Sequence, residues 1–184
     1  MTDIQSRIDS MSLDEIKQRL AEYMAKDQQI TPRPVAVEVR SCSSNGSSCR
    51  YQVLLIAEDG QEIEVIFHDR YSRLLYIYTL MHARGYQRRF AAANNFESFR
   101  QLYTKLYLKS GNALAKSITA AGYDHFFSNS VARSRKAIRQ ATPHASLFAI
   151  DRPQSHDGKL LIPFAAQGGT IILDPTLQPL TLNS

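Results

Sequence analysis

The chain has 184 residues, a formal net charge of +5 and a hydrophobic fraction of 43%. These values fit one globular domain with a short appendage, large enough to bury a core without a metal or disulfide staple. No apolar run approaches the roughly 18 residues of a membrane span. The opening Met1-Thr2-Asp3-Ile4-Gln5-Ser6-Arg7 has no apolar signal core, so the expected setting is cytoplasmic and away from a membrane.

The first segment, residues 1–32, reads as helical. Ser12 and Glu15 have the spacing of a capping box. Leu13, Ile16, Leu20, Tyr23 and Met24 then recur at three- and four-residue steps and make one apolar stripe, with Ile4, Ile8 and Met11 ahead of it. The stripe suits packing on its own chain, or a homodimer or protein partner. Thr31-Pro32-Arg33-Pro34 ends it, and residues 33–184 form the second part.

Three strands are expected next, as an antiparallel meander with one buried face. Val35, Val37 and Val39 alternate with polar or small residues. Cys42 and Cys49 lie in a Ser/Asn/Gly loop that a disulfide could close; two thiols are too few for a metal site, and the expected state is reduced thiols on a mobile hairpin loop. Arg50 to Glu58 is β-prone, and Asp59-Gly60 has the composition of a type I′ turn. Gln61 to Phe67 places Ile63, Val65 and Phe67 on one face and Glu62 and Glu64 on the other, a solvated face.

Helices follow. Asp69 is a suitable N-cap for Arg70 to Arg84, with Leu74, Leu75, Tyr78 and Met81 as its core stripe and Gly85 past its end. A basic connector, Tyr86 to Phe90, leads to a helix capped by Asn94-Asn95, with Phe96, Phe99, Leu102, Tyr103 and Leu106 inward. A short helix spans Asn112 to Ala121 and stops at Gly122. The next helix runs from Ser128 or Asn129 to Pro143. At 100° per residue, Val131, Ser134, Ile138 and Ala141 share one face, and Asn129, Arg133, Lys136 and Gln140 share the other. Arg135 and Arg139 flank them. The tail returns to β structure. Leu147 to Asp151 and Lys159 to Phe164 are expected to pair as a hairpin, and Gly168-Gly169 turns the chain into a last run, Thr170 to Leu173.

The charge is concentrated. His82 to Gln140 holds eleven Lys/Arg against two acids, Glu97 and Asp124, a balance of +9, while the rest of the chain stands at −4. A basic segment in a mildly acidic frame suits a polyanion, most often nucleic acid. The helix face of Asn129, Arg133, Lys136 and Gln140 carries the donors that read bases: Arg pairs with guanine O6 and N7, and Asn or Gln with adenine N6 and N7. Arg88, Arg89, Arg135, Arg139 and Lys159 suit phosphate contacts, which fix register without reading sequence. The polar stretch Ser128 to Ser130 is expected to offer N–H groups to a phosphate at the helix start.

The element order over roughly residues 50–174, with the helix SNSVARSRKAIRQATP ahead of a hairpin, resembles the winged-helix DNA-binding domains, especially the response-regulator output type. The resemblance implies an α+β fold: a small antiparallel sheet, a three-helix core and a β wing. It places the Ser128–Ala141 helix in the major groove and makes the loop from Arg152 to Lys159 the wing. The chain departs from that pattern in having no phosphoacceptor receiver domain, an extra short helix before the basic one and a third strand-like run in the tail.

Double-stranded DNA binding, as a transcriptional regulator without cofactor, metal or catalysis, is therefore the expected function. A protein-interaction module of the same fold, or an RNA-associated protein, are the competing expectations. Enzyme chemistry finds little support. His68, His82, His125, His144 and His156 have no metal-ligand spacing, and no Gly-rich phosphate loop follows a strand.

Overall fold

The computed structural model describes residues 12, 15, 17–18, 33–42, 49–87, 93–151 and 159–177. The chain divides into two compact units, Met1–Pro32 and Arg33–Ser184. In the first unit the capping box forms: the Ser12 N–H donates to the Glu15 carboxylate (2.9 Å), and the Glu15 N–H donates to the Ser12 hydroxyl (3.3 Å). The apolar stripe expected at Leu13, Ile16, Leu20, Tyr23 and Met24, and the run at Ile4, Ile8 and Met11, lie outside the described residues.

The second unit is α+β. Strands β1 (Pro34–Ser41), β2 (Tyr51–Ala57) and β3 (Glu62–Glu64) form the expected antiparallel meander. A fourth strand, β6 (Thr170–Leu173), joins it parallel to β1, giving the order β3-β2-β1-β6. Residue alternation sends Val37, Val39, Val53 and Leu55 into the core. On the opposite face Arg40 bonds both Glu38 (2.7 Å) and Glu62 (2.9 Å). This network holds the exposed Glu62 in an ion pair across the sheet face.

The turn between β2 and β3 differs from the expected type I′. That type needs positive φ at Asp59 and Gly60, and only Gly60 (φ 83°) has it. Instead the Gly60 N–H closes a turn on the Ala57 carbonyl (3.0 Å), the Ala57 N–H donates to the Gln61 carbonyl (2.9 Å), and the Asp59 carboxylate accepts the Gln61 N–H. A three-residue loop with glycine in the left-handed position results. The cysteines differ as well. Cys49, two residues ahead of β2, is buried in the core and its thiol contacts the Tyr51 carbonyl, so it packs inward instead of lying out on the loop. Cys42 and Cys49 are both free thiols.

Helix α1 (Arg70–Met81) starts at Asp69, whose carboxylate accepts the N–H groups of Tyr71 and Ser72, both at 2.9 Å. It ends at Met81, three residues before the expected Arg84. The residue after it is His82, so Gly85 (φ 76°) belongs to the following turn, where its N–H meets the His82 carbonyl. Leu74 through Leu80 are all buried, so α1 is a central helix and not a one-striped surface helix. Its polar groups are matched internally: the Tyr76 hydroxyl donates to the Phe148 carbonyl (2.9 Å), and Thr79 to the Leu75 carbonyl (2.7 Å). Burial pushes the Tyr78 phenol up to about 12.

Around α1 pack α2 (Ala93–Tyr107), α3 (Gly111–Ala121) and α4 (Tyr123–Ala141). Phe99, Leu102, Tyr103 and Leu106 of α2 are buried as expected. The tail departs most from expectation. Ala145–Phe148 forms a helical turn, α5, where a strand was expected from Leu147 to Asp151. Strand β5 covers only Lys159–Leu160, because Pro163 has no N–H to donate and opens α6 (Pro163–Ala166) instead. One bond of the expected hairpin survives, from the Asp151 N–H to the Leu161 carbonyl (2.8 Å). The partner of β5 is β4 (Tyr86–Gln87), with Tyr86 opposite Leu160.

Asp174 fastens the end of β6 to β1. Its carboxylate accepts from the Thr176 hydroxyl (2.6 Å), the Thr176 N–H (2.9 Å) and the Ser41 N–H (2.9 Å). These donors, the Thr176 hydroxyl foremost, hold the carboxyl well below the usual carboxylate range. A depressed native pKa stabilises the fold above the unfolded value of about 4, and the gain is lost as pH falls through the native value. Asp174→Asn is therefore expected to cost about 1–2 kcal/mol at pH 7. The gap from wild type should narrow below about pH 4. Urea unfolding at pH 7 and pH 3 measures both values.

Candidate nucleic-acid interface

Helix α4 is longer than the sequence suggests. It begins at Tyr123 after Gly122, which has φ 77° and ψ 136° and is the single residue between α3 and α4. An L side chain strains at that dihedral, so glycine makes the tight corner possible. Two aromatic residues then anchor the first turns. Phe126 packs edge-on against Tyr71 of α1 (5.0 Å between centroids), and Phe127 lies against Phe99 of α2 (5.9 Å). Asp124 sits in the first turn, where the helix dipole favours an acid. Consequently Ser128 and Asn129 do not cap the helix. They lie one and a half turns inside it, and Ser130 is buried. Their N–H groups belong to a continuous helix, which removes the phosphate site expected at Ser128 to Ser130.

The far end is as expected. Thr142 is extended (φ −151°, ψ 142°) because Pro143 follows, and the helix stops at Ala141. Between these ends α4 has two faces. Phe127, Ser130, Ser134, Ala137 and Ile138 are buried, with Val131 and Ala141 packed at the margin. Asn129, Arg133, Lys136 and Gln140 are all exposed on the opposite face, so the four expected base readers lie together on one accessible surface. The exposed Arg139 adds a third cation.

Two of these residues are positioned by neighbours. The Asn129 side-chain amide is 2.8 Å from the His125 ring nitrogen. Arg133, 64% exposed, has its guanidinium 3.9 Å from the Asp69 carboxylate. One carboxylate thus caps α1 with one oxygen and faces Arg133 with the other. Exposed pairs of this kind contribute about 0–1 kcal/mol, so a stronger anion readily takes Arg133 away. Nothing in the α4 pattern pointed to this pairing, because Asp69 is 64 residues away in sequence and reads simply as a cap.

The phosphate-contact set is placed unevenly. Arg139 is exposed on α4 and Lys159 is exposed on β5, whereas Arg135 is partly buried at the flank. Arg88 and Arg89 lie outside the described residues, as does the expected wing, Arg152 to Lys159, except for Lys159. The β4–β5 pair fixes the points from which both segments leave. Among the described residues, no three His, Cys, Asp or Glu side chains are grouped to hold a metal ion, and no helix is long and apolar enough to cross a membrane.

Ser134 is the weak point of the buried face. Its hydroxyl is fully buried and has no hydrogen-bond partner among the described residues. Ser134→Ala removes an unsatisfied polar group, so it is expected to be neutral or to stabilise by up to about 1 kcal/mol. Thermal or urea unfolding reads this directly, and a loss above 1 kcal/mol would mean that the hydroxyl has a partner after all.

In comparisons with known proteins, no family model, no curated protein and no solved structure matches this chain.

Proposed function

We propose that this protein binds double-stranded DNA through the exposed face of α4, in a winged-helix manner, as a non-catalytic cytoplasmic regulator of transcription. The observation that carries the proposal is the surface of α4. Asn129, Arg133, Lys136 and Gln140 project from one side, while the other side is anchored by Phe127, Ser134 and Ile138. Rigid anchoring fits base reading, because donors must be held at fixed spacing to match a groove edge. Asn129, Arg133, Lys136 and Gln140 would contact bases. Arg139 and Lys159 would contact phosphates, joined by Arg88, Arg89 and Arg135. The loop leading into β5, Arg152 to Lys159, would act as the wing, and the segment before Arg33 would serve a homodimer or a protein partner.

Fluorescence anisotropy with a random-sequence duplex tests the proposal. If four to six phosphates are neutralised, log K falls against log salt with a slope of roughly −4 to −5. Absence of binding at low salt would refute the reading.

A second reading, a protein-interaction module, is favoured by one observation. Leu108 is 71% exposed at a left-handed φ of 51°, beside a pocket of about 420 Å³ between Arg50, Arg100, Thr104 and Lys105. Leu108 itself lines that pocket, which offers a partner side chain a concave site with one apolar wall.

A further inference from the structure

A second cationic feature lies at the start of α1. A pocket of about 170 Å³ opens between the segment ahead of β2, the beginning of α1 and the end of α2, lined by Cys49, Phe67, His68, Asp69, Arg70, Arg73 and Tyr107. Two guanidinium groups line it. Arg73 is partly buried, lies over the Phe67 ring at 5.9 Å and makes one long bond to the Tyr51 carbonyl (3.4 Å). Arg70 is fixed by Tyr71, with its guanidinium 4.8 Å above the ring and 2.8 Å from the hydroxyl. Among the described carboxylates, none is within 4.0 Å of either guanidinium.

The one acid in the lining is already engaged. Asp69 gives one oxygen to the α1 N–H groups and faces Arg133 with the other. The Tyr107 hydroxyl is engaged too, donating to the Arg70 carbonyl at 2.8 Å. Two guanidinium groups and the exposed His68 imidazole thus share the pocket with one carboxylate, that of Asp69, which is hydrogen-bonded to the α1 N–H groups and pairs with neither arginine. Partly buried guanidinium groups are strongly favoured partners of oxyanions. The volume lies below the roughly 300–1,000 Å³ of pockets for drug-sized ligands, so one phosphoryl group suits it better than a whole nucleotide.

We propose that this pocket binds a phosphoryl oxyanion, held by Arg70 and Arg73 with His68 at the mouth. The phosphoryl group comes either from a small free phosphate or from a nucleic-acid backbone. Only the second source rests on the DNA reading above.

The test uses the full chain and inorganic phosphate, followed by amide chemical shifts without DNA. The expected result is saturable shifts at residues 68–73. Arg73→Gln should weaken binding about tenfold or more, with Arg73→Lys recovering part of it. Arg70→Gln, at a less enclosed position, serves as the second variant should Arg73→Gln unfold. Adding duplex DNA separates the sources. Loss of the phosphate-dependent shifts assigns the site to a backbone phosphate, and their retention assigns it to a free phosphate. Phosphate that leaves residues 68–73 unmoved, or binds equally to wild type and both glutamine variants, overturns the proposal while leaving the α4 reading intact.

Discussion

Replacing Arg133 and Lys136 with alanine is expected to weaken binding to a preferred duplex by about 1–3 kcal/mol for each residue that contacts a base. Both side chains are exposed on α4, three positions apart, and neither is needed to hold the helix in place. The core should therefore be untouched and the unfolding midpoint nearly unchanged. Arg133 first has to leave Asp69, but that exposed pair at 3.9 Å resists by little. The single variants should also relax preference at one base position each. By contrast, Arg139→Ala should weaken all sequences alike and flatten the salt slope by about 1. Competition titrations against a panel of single-base variants of the site distinguish the two behaviours. Equal losses on every sequence from all three variants would contradict the division between base and phosphate contacts.

Phe127→Ala should have the largest effect on the fold itself. The ring is fully buried and sits between Phe99 of α2 and Phe126 of its own helix, at 5.9 and 5.3 Å between centroids. Truncating a buried phenylalanine costs about 3–5 kcal/mol through lost burial and the cavity left behind. Domains of this size have total stabilities of only about 5–15 kcal/mol, so the variant should be close to unfolding at physiological temperature. The same ring anchors the first turns of α4, so DNA binding should fall with stability although the side chain never reaches solvent. Urea unfolding monitored by circular dichroism gives the stability change, and a loss under 1 kcal/mol would mean that α4 is anchored elsewhere.

The two faces of α4 were legible in the sequence because helical periodicity is a local property. Ser134 and Ile138 on one side, and Arg133 and Lys136 on the other, need only the 100° step to be separated. The start of α4 was not legible. Ser128-Asn129-Ser130 has the composition of a cap, and the helix runs through it because Phe126 and Phe127 bury against α1 and α2. Tertiary burial there outweighs a local preference worth about 1 kcal/mol. The Asp69 cap and the β1–β2–β3 meander were likewise local and legible.

The tail shows the opposite case. Leu147 to Ile150 is a short apolar run that suits a strand or a buried helical turn equally, and period alone does not separate them. The run turns helical at Ala145–Phe148, where the buried Tyr76 hydroxyl donates to the Phe148 carbonyl. The β4–β5 pair is two residues long and joins Tyr86 to Leu160, and β6 pairs in parallel with β1 across more than 130 residues. No short-range signal marks such pairings. The pocket of Arg70 and Arg73 was missed for a related reason. Each arginine reads as an ordinary helix residue until Cys49 and Tyr107 arrive from other elements to enclose them.

The most direct test of the α4 assignment is amide chemical-shift mapping of the full chain against a duplex of about 16 base pairs at low salt. The account predicts the largest shifts at Asn129, Arg133, Lys136 and Gln140, with Leu74 to Leu80 in the core unmoved. A duplex that binds while these four residues stay in place, or that shifts only the surface around Arg50, Lys105 and Leu108, would contradict it.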